Sequence, residues 1–361
     1  MSTPNAPPPV CLADYELLAA KRLDERAWAY FSGGAADEVT LRQNREAFHR
    51  LALLPRVLNG GPGGSARVTL FGRTYAHPIL VAPVAHQGLA HLDAEHATAM
   101  AAAAQGAGMV LSTLASLSME KVAEAGATCR WFQLYMQPER EDTLRLIRRA
   151  EAAGYEVLVV TVDAPVNGVR NREHRAGFQL PPDLHPENLR DLMRPNPPPK
   201  TGLDSVVFEH FMAMAPSWRD IEWLRELTTL PIVLKGIMAA DDAERALDTG
   251  VSGIVVSNHG GRTLDTVPAT IDVLPEIAER VGTRVPLLLD GGIRRGTDVL
   301  KALAAGATAV LVGRPIVYGL AVNGAMGVAH VLRLLRDEFE VAMALTGCKT
   351  VADIGPELLR R

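Results

Sequence analysis

The chain has 361 residues, of which 48% are hydrophobic and 22% charged, a composition typical of a globular protein with a substantial core. Its formal net charge is −4 and no run of Lys or Arg stands out, so neither nucleic-acid binding nor attachment to a membrane surface has electrostatic support. The length fits either two domains or one large one, because an eight-stranded α/β barrel commonly exceeds about 250 residues.

The cysteines and the chain ends predict no special chemistry. Cys11, Cys129 and Cys348 are odd in number, widely spaced and without a CxxC pair, so we expect neither a disulfide framework nor a metal site, and a cytoplasmic location fits best. Residues 1–11 lack the pattern of a signal peptide, and we predict a disordered tail there. No apolar run is expected to reach the roughly 20 residues that span a bilayer.

A repeated pattern runs along the chain: an Ala-rich amphipathic helix, a Gly, then a short run rich in Val, Ile and Leu. It occurs at 101–112, 123–135, 149–163, 246–258 and 301–313. The Gly is expected to end each helix in a left-handed conformation, and the apolar run is typical of a strand buried on both faces. Strands that alternate with helices indicate parallel βαβ units.

Three further apolar runs, each of which follows a Pro, complete a set of eight predicted strands. The strands are expected near 79–83, 109–112, 131–135, 157–162, 232–235, 253–257, 286–290 and 308–312. Eight such units in order favour a closed (β/α)₈ TIM barrel over an open sheet. We therefore predict one domain over 1–361, with an N-terminal helical extension (12–75), a barrel (76–355) and a long proline-rich lid loop after strand four (164–217).

Polar residues stand at the predicted carboxyl ends of nearly all the strands, where barrel enzymes place their chemistry. They include Ser112, Gln133, Thr161, Asp163, Lys235, Ser257, His259, Asp290 and Arg314. This density indicates a large polar ligand. Gly-rich segments at 290–294 and 313–314 follow the last two strands, where barrels commonly bind phosphate. Because no GxGxxG follows a strand, a ligand with a single phosphate fits better than a dinucleotide.

These residues match a known family. The chain resembles the FMN-dependent 2-hydroxy-acid oxidases and dehydrogenases, a family that includes glycolate oxidase and L-lactate oxidase. The matching phrases are AYFSGGA (29–35), APVA (82–85), WFQLYM (131–136), TVDAPVNGVRNRE (161–173), KGI (235–237), VSNHGGRTLD (256–265), DGGIRRGTDVLKALAAGA (290–307) and GRP (313–315). They keep the family order over residues 12–355, and VSNHGGR together with DGGIRRG is highly specific.

The resemblance implies FMN as cofactor and gives each matching position a role. Residues expected against or around the flavin ring are Ala82, Pro83, Ala85, Ser112, Gln133, Thr161 and Ser257. Residues expected to hold the ribityl phosphate are Asp290, Gly292, Arg294, Gly313 and Arg314. Lys235 ends a buried strand, where an ammonium needs a negative partner, and the family places it at the flavin pyrimidine edge. A Schiff-base lysine is the alternative for Lys235.

The resemblance also implies the catalytic residues. His259 is expected to be the base that takes a proton from the substrate, and Asp163 to orient it. Arg170 and Arg262 are expected to bind the substrate carboxylate through charge-assisted bonds, while Tyr30 and Tyr135 donate to the carboxylate and to the 2-hydroxyl. Taken singly, each residue has a plainer reading as a loop cap, a surface charge or a half-buried tyrosine.

Three departures from the glycolate-oxidase pattern concern the substrate side chain. Leu114 stands where those enzymes usually carry Trp, Phe31 replaces the second Tyr of a YY pair, and residues 165–168 (PVNG) look more like lactate oxidase. We therefore expect an (S)-2-hydroxy acid that is lactate, glycolate or a longer or aromatic homologue, as in a mandelate-type oxidase.

The oxidant and the assembly are inferred less directly. The chain shows no cytochrome-like domain and no apolar anchoring stretch in the lid, so O₂ reduced to H₂O₂ is the simplest acceptor, and a quinone or other acceptor is the alternative. A flavin-binding isomerase and a homologue without redox turnover are rival functions. The resemblance implies a homotetramer or octamer, and nucleic-acid or membrane partners are not expected.

Overall fold

The computed structural model describes residues 8–125, 130–192 and 205–360, and it contains a closed barrel of eight parallel strands. Barrel strands 1 to 8 are Ile79–Val81, Met109–Leu111, Arg130–Leu134, Val157–Thr161, Ile232–Ile237, Gly253–Val256, Leu287–Leu289 and Ala309–Val312. Each predicted strand corresponds to one of these, and strand 8 pairs with strand 1 to close the barrel. The predicted TIM barrel is confirmed.

Eight helices follow the strands and cover the outside of the barrel. They are Ala94–Ala104, Met119–Ala123, Arg140–Ala152, Trp218–Leu227, Ala240–Asp248, Thr270–Val281, Gly296–Ala304 and Arg314–Leu345. After two of them the chain turns at Gly154 (φ +75°) and Gly250 (φ +72°), a conformation that glycine adopts without steric cost. These turns lead into strands 4 and 6, as the repeat predicts.

One end of the barrel is closed by side chains. Leu80, Val110, Trp131 and Val233 point inward and pack with a β-hairpin made of Val68–Leu70 and Arg73–Tyr75. The hairpin covers the amino ends of the strands: the Tyr75 hydroxyl accepts a hydrogen bond from Trp131 Nε1 (2.9 Å) near the start of strand 3. The opposite, carboxyl end is therefore left for the ligand site.

The N-terminal extension is more structured than the predicted helical stretch. It has three helices, Leu12–Arg22, Glu25–Ser32 and Val39–Arg50, before the hairpin, and Ala52–Leu53 pairs with Leu359–Arg360 near the chain end. The backbone N–H groups of Val10 and Cys11 donate to Asp14, so ordered chain begins before the predicted tail boundary. Residues 1–7 of that tail, and Cys129, lie outside the described residues.

The predicted lid loop is partly helical. It contains a short helix at Asn171–Arg175, 3₁₀ turns at Glu187–Leu189 and Met212–Met214, and a π-turn at Val207–Phe211. Residues 193–204, within the predicted lid, lie outside the described residues. The short helix begins directly after Arg170, at the carboxyl end of the barrel.

The last helix, Arg314–Leu345, corrects the expectation about apolar runs. Residues 315–332 contain no charged residue, and by length and composition this one helix among the described residues could cross a membrane. However, 67% of its apolar window is buried in the protein. The helix is also interrupted at Asn323 (φ −154°) and Gly324 (φ +53°), and it packs against Ala94–Ala104 and Leu12–Arg22. Its apolar composition is explained by this core position.

Candidate active site

A cavity of about 600 Å³ opens at the carboxyl end of the barrel and is lined by residues that follow all eight strands. Of the sequence-predicted site residues, the cavity brings together Tyr30, Ala82, Pro83, Ala85, Ser112, Gln133, Tyr135, Thr161, Arg170, Lys235, His259, Arg262, Asp290, Gly292, Arg294, Gly313 and Arg314. Asp163 and Ser257 are absent from its wall and instead support residues that line it.

His259 and Asp163 form a hydrogen-bonded pair. His259 Nδ1 lies 2.9 Å from Asp163 Oδ1, although the two residues are 96 positions apart in the sequence. His259 has a left-handed backbone (φ +56°), and its N–H donates to Ser257 Oγ at 3.1 Å. Burial raises the pKa of Asp163, but the facing His259 and the charge of Lys235 outweigh this effect and leave the pKa below its ordinary value. Asp163 is therefore an ionised partner that holds the imidazole through Nδ1.

Lys235 lies buried beneath the cavity with a protein anion beside it. Its Nζ lies 3.0 Å from Asp290 Oδ2 and donates to Ser257 Oγ at 2.9 Å. Burial lowers the pKa of Lys235, yet the charges of Asp290 and Asp163 outweigh burial and raise it. The argument that Lys235 needs a ligand as its negative partner is therefore corrected, because Asp290 already fills that need. A raised pKa keeps the amine protonated, which opposes the Schiff-base alternative.

Arg170 and Arg262 meet at one point of the cavity wall. Arg262 Nη1 donates to the carbonyl oxygens of Tyr30 (2.6 Å) and Gly33 (3.0 Å), and its guanidinium carbon lies 5.0 Å from the centre of the Tyr30 ring. Both guanidiniums also contact Glu173 Oε1, Arg262 Nη2 at 3.0 Å and Arg170 Nη1 at 3.4 Å. The structure thus places two cations and one carboxylate where a carboxylate-binding site was predicted.

An aromatic wall adjoins these arginines. The Tyr30 ring stacks on Phe178 with centroids 4.7 Å apart and lies 5.9 Å from the His86 ring. Burial raises the pKa of Tyr135 to about 12, so its hydroxyl stays protonated and can donate. Burial lowers the pKa of His86 to about 4, so this imidazole is neutral at physiological pH. Leu114 lines the same part of the cavity, and its carbonyl oxygen accepts a hydrogen bond from the backbone N–H of His86 at 3.0 Å.

The other end of the cavity is rich in positive charge. Arg314 donates to the carbonyls of Phe31, Gly260 and Gly33, and burial lowers its pKa to about 9. Burial also lowers the pKa of Arg294, whose Nη1 donates to the Ile293 carbonyl. Within the described part of the chain, neither guanidinium forms an ion pair with a carboxylate. A phosphate group would supply the missing negative charge.

Two residues predicted to hold the phosphate have a further role in the structure. Asp290 is a carboxylate paired with Lys235, and a second anion would be repelled by it, so it is suited to accept bonds from ligand hydroxyls instead. At Gly292 (φ +94°) a Cβ atom would lie 2.0 Å from the Asn44 carbonyl oxygen, so packing against the helix Val39–Arg50 requires glycine there, and its backbone contact with the phosphate stays a prediction. Gly313 keeps its predicted place on the cavity wall.

The middle of the cavity fits a planar polar ring. Ala82, Pro83 and Ala85 line it just after strand 1, and Ser112, Gln133 and Thr161 lie at the carboxyl ends of strands 2 to 4. Gln133 Oε1 accepts bonds from the Thr113 N–H (3.1 Å) and Ser112 Oγ (3.4 Å), while its buried Nε2 has no hydrogen-bond partner among the described residues. Together with the cationic end and Lys235, this arrangement fits FMN.

Three charged or aromatic wall residues received no role in the sequence interpretation: Glu173, His86 and Phe178. Glu173 had a usable signal, because it stands three positions after Arg170, and side chains at that spacing meet on a helix. His86 stands shortly after the first predicted strand and Phe178 lies within the predicted lid, and nothing in their spacing indicates the direction of their side chains.

Comparison with known proteins agrees with this geometry. A model of the family described as FMN-dependent dehydrogenase matches residues 19–361. The chain is 51% identical to an L-lactate oxidase of Roseobacter sp. (strain GAI101), over 97% of this chain and 95% of that protein. It is 48% identical to human 2-hydroxyacid oxidase 1 (98% and 96% covered) and 46% identical to glycolate oxidase 1 of Zea mays (94% and 93% covered).

A solved structure of mandelate oxidase with benzoyl-formic acid superposes with a TM-score of 0.89 at 41% sequence identity, and the match covers 98% of each chain. Family model, relatives and structure all extend over nearly the whole chain, including the barrel and the cavity residues. The chain therefore belongs to the family of FMN-dependent dehydrogenases.

Proposed function

We propose that the protein oxidises small (S)-2-hydroxy acids to 2-oxo acids with FMN and passes the electrons to O₂, releasing H₂O₂. One observation carries the proposal: the His259–Asp163 pair, the two guanidiniums of Arg170 and Arg262, and Lys235 converge on one cavity. A base, a carboxylate site and a buried cation are what a 2-hydroxy acid needs in order to lose hydrogen at Cα beside a flavin.

Each residue of the site has a separate role in the reaction. Arg170 and Arg262 hold the carboxylate, and the protonated Tyr135 donates to the 2-oxygen, which together fix Cα in the cavity. Asp163 engages His259 Nδ1, so Nε2 is free to accept one of the two protons that the substrate loses. FMN, when bound, would supply the acceptor for the two electrons and for the second proton. Lys235 stabilises negative charge at the adjoining edge of the site, and Asp163 stabilises the imidazolium once it has formed.

The cavity wall supports a substrate with a side chain. Leu114 and Phe31 line the cavity together with the stacked pair of Tyr30 and Phe178. The relatives named above act on lactate, glycolate and mandelate according to their names. We infer lactate or a longer or aromatic 2-hydroxy acid as the preferred substrate. Apolar contacts of this kind change specificity by about one to two orders of magnitude.

An anaerobic substrate panel tests the function. FMN-loaded protein is mixed with glycolate, (S)-lactate, 2-hydroxyoctanoate or (S)-mandelate, and flavin absorbance is followed before and after air is admitted. We expect bleaching by at least one (S)-acid and rapid recovery in air with formation of H₂O₂. Bleaching with slow recovery assigns the enzyme to a quinone or other acceptor, and no bleaching by any acid refutes the proposal.

The variant His259→Gln tests the base. It is expected to bind FMN normally and to lose most turnover, because a glutamine amide cannot accept the proton at working pH. Near-normal turnover in this variant would remove His259 from the mechanism.

We also propose that the protein is a cytoplasmic homotetramer or octamer; the assembly rests on the family resemblance and the location on the cysteine pattern. Light scattering coupled to gel filtration measures the assembly, and a monomer at micromolar concentration contradicts it. Fractionation of the source cells tests the location.

A further inference from the structure

Glu173 links the two arginines that are proposed to bind the substrate. It belongs to the short helix Asn171–Arg175 in the lid, and its Oε1 contacts Arg262 Nη2 (3.0 Å) and Arg170 Nη1 (3.4 Å). The side chains are largely withdrawn from water: 13% of Glu173, 18% of Arg170 and 15% of Arg262 is exposed. The two arginines come from different loops, after strands 4 and 6, so this carboxylate is their shared contact.

Electrostatics explains why a carboxylate stands there. Two guanidiniums held close together in a site poor in water repel each other, and each loses hydration. Burial lowers the pKa of Arg262 and the charge of Arg170 lowers it further, whereas Glu173 acts in the opposite direction. The shared anion therefore allows both cations to point at one place before any substrate arrives, and it leaves the three groups with one net positive charge.

We propose that Glu173 is a positioning residue that orients Arg170 and Arg262 for catalysis and matches the site to a single carboxylate. The inference rests on the proposed function, since it assumes that the arginines bind the substrate carboxylate. One net charge is neutralised by a monocarboxylate. Without Glu173 the site carries two net charges, which attract anions more strongly but no longer hold the guanidiniums in a fixed relative orientation.

Two substitutions separate charge from shape. Glu173→Gln keeps the size of the side chain and removes its charge, whereas Glu173→Asp keeps the charge on a side chain shorter by one methylene. If charge matters, the rate of flavin reduction decreases in the order wild type, Glu173→Asp, Glu173→Gln. If Glu173 only fills space, Glu173→Gln outperforms Glu173→Asp.

The experiment uses FMN-loaded enzyme and two measurements. Anaerobic single-turnover reduction by an (S)-2-hydroxy acid gives a limiting rate and an apparent substrate dissociation constant. For Glu173→Gln we expect the limiting rate to fall about 10- to 100-fold, as for a misplaced substrate, without a rise in the dissociation constant. Calorimetric titration with sulfate is expected to show binding about fivefold tighter or more in Glu173→Gln, and unchanged in Glu173→Asp.

Glu120→Gln is the matched control, because Glu120 forms an ion pair with Arg149 on the outside of the barrel and is 47% exposed. It is expected to leave both measurements unchanged.

The proposal is overturned if Glu173→Gln reduces flavin as fast as wild type, or if sulfate affinity does not increase. If Glu173→Gln fails to retain FMN, sulfate titration of Glu173→Asp tests the role of charge. Tighter sulfate binding by Glu173→Asp overturns that role, and unchanged binding supports it. Absence of flavin reduction in wild type refutes the proposed function, while the sulfate titration still tests Glu173.

Discussion

Replacement of Asp163 by Asn isolates the contribution of charge to the histidine pair. The carboxylate lies 2.9 Å from His259 Nδ1, and the side chains of Asp163 and His259 are only 10% and 20% exposed. Asn has nearly the same shape, so the local packing is kept. What is lost is the negative charge that faces the imidazolium after it has taken the substrate proton.

The size of the effect follows from the geometry. Unit charges about 4 Å apart interact by about 4 kcal/mol at an effective dielectric constant of about 20. If this stabilisation is present only after the proton has moved, its loss slows flavin reduction by about a thousandfold. The pKa of Asp163 lies below its ordinary value of 3.8, so the carboxylate is ionised at higher pH, and its contribution is lost only as pH falls through that lowered pKa.

Stopped-flow reduction of FMN-loaded protein by an (S)-2-hydroxy acid without air measures this rate at neutral pH. Flavin absorbance before mixing confirms that Asp163→Asn retains FMN. The control is Asp241→Asn, since the side chain of Asp241 is 92% exposed and pairs with Arg280 on the surface. A reduction rate for Asp163→Asn within about fivefold of wild type would show that the charge of Asp163 does not support proton transfer.

Three further predictions concern the packing beside Asp163, the binding of the FMN phosphate and the contact with the substrate side chain. Gly236→Ala places a Cβ atom 2.5 Å from Asp163 Cβ at a backbone φ of +115°, so flavin reduction should slow at least tenfold and the free energy of unfolding should fall by about 1–3 kcal/mol. Stopped-flow and denaturant titration measure the two effects, and unchanged values would show that this contact relaxes freely. Arg294→Leu removes a cation that has no carboxylate partner in the described chain, so FMN should dissociate about thirtyfold more readily, as fluorescence titration of the apoprotein would show. Leu114→Trp fills the cavity wall, and kcat/KM for mandelate relative to glycolate should fall about 10- to 100-fold; an unchanged ratio would place the substrate side chain elsewhere.

Much of the fold could be predicted because its signals are local. A strand buried on both faces requires a continuous run of apolar residues, and a helix that ends before such a strand turns most easily at glycine. Thus the runs at 157–161 and 253–256, with Gly154 and Gly250 before them, indicated barrel strands correctly. The expectation that no apolar run reaches the length of a membrane span was wrong for the uncharged segment 315–332, and only its burial in the protein identifies it as a core helix.

The partners inside the site were harder to predict. The motifs indicated His259, Lys235 and the arginines, but not that Asp290 pairs with Lys235 or that Glu173 joins Arg170 to Arg262. Such contacts form only when side chains from separate loops point to the same place within a few ångströms. Spacing along the chain carries that information only within one helix, as for Arg170 and Glu173.

The sequence by itself determined that eight alternating units close into a barrel and that polar residues gather at one end of it, because burial and backbone conformation act over a few neighbouring residues. Only the tertiary structure decided the pairing of charges in the cavity. Asp163 and His259 are 96 positions apart, and they come within hydrogen-bond distance because strands 4 and 6 flank strand 5 in the barrel, so that their carboxyl ends lie close together.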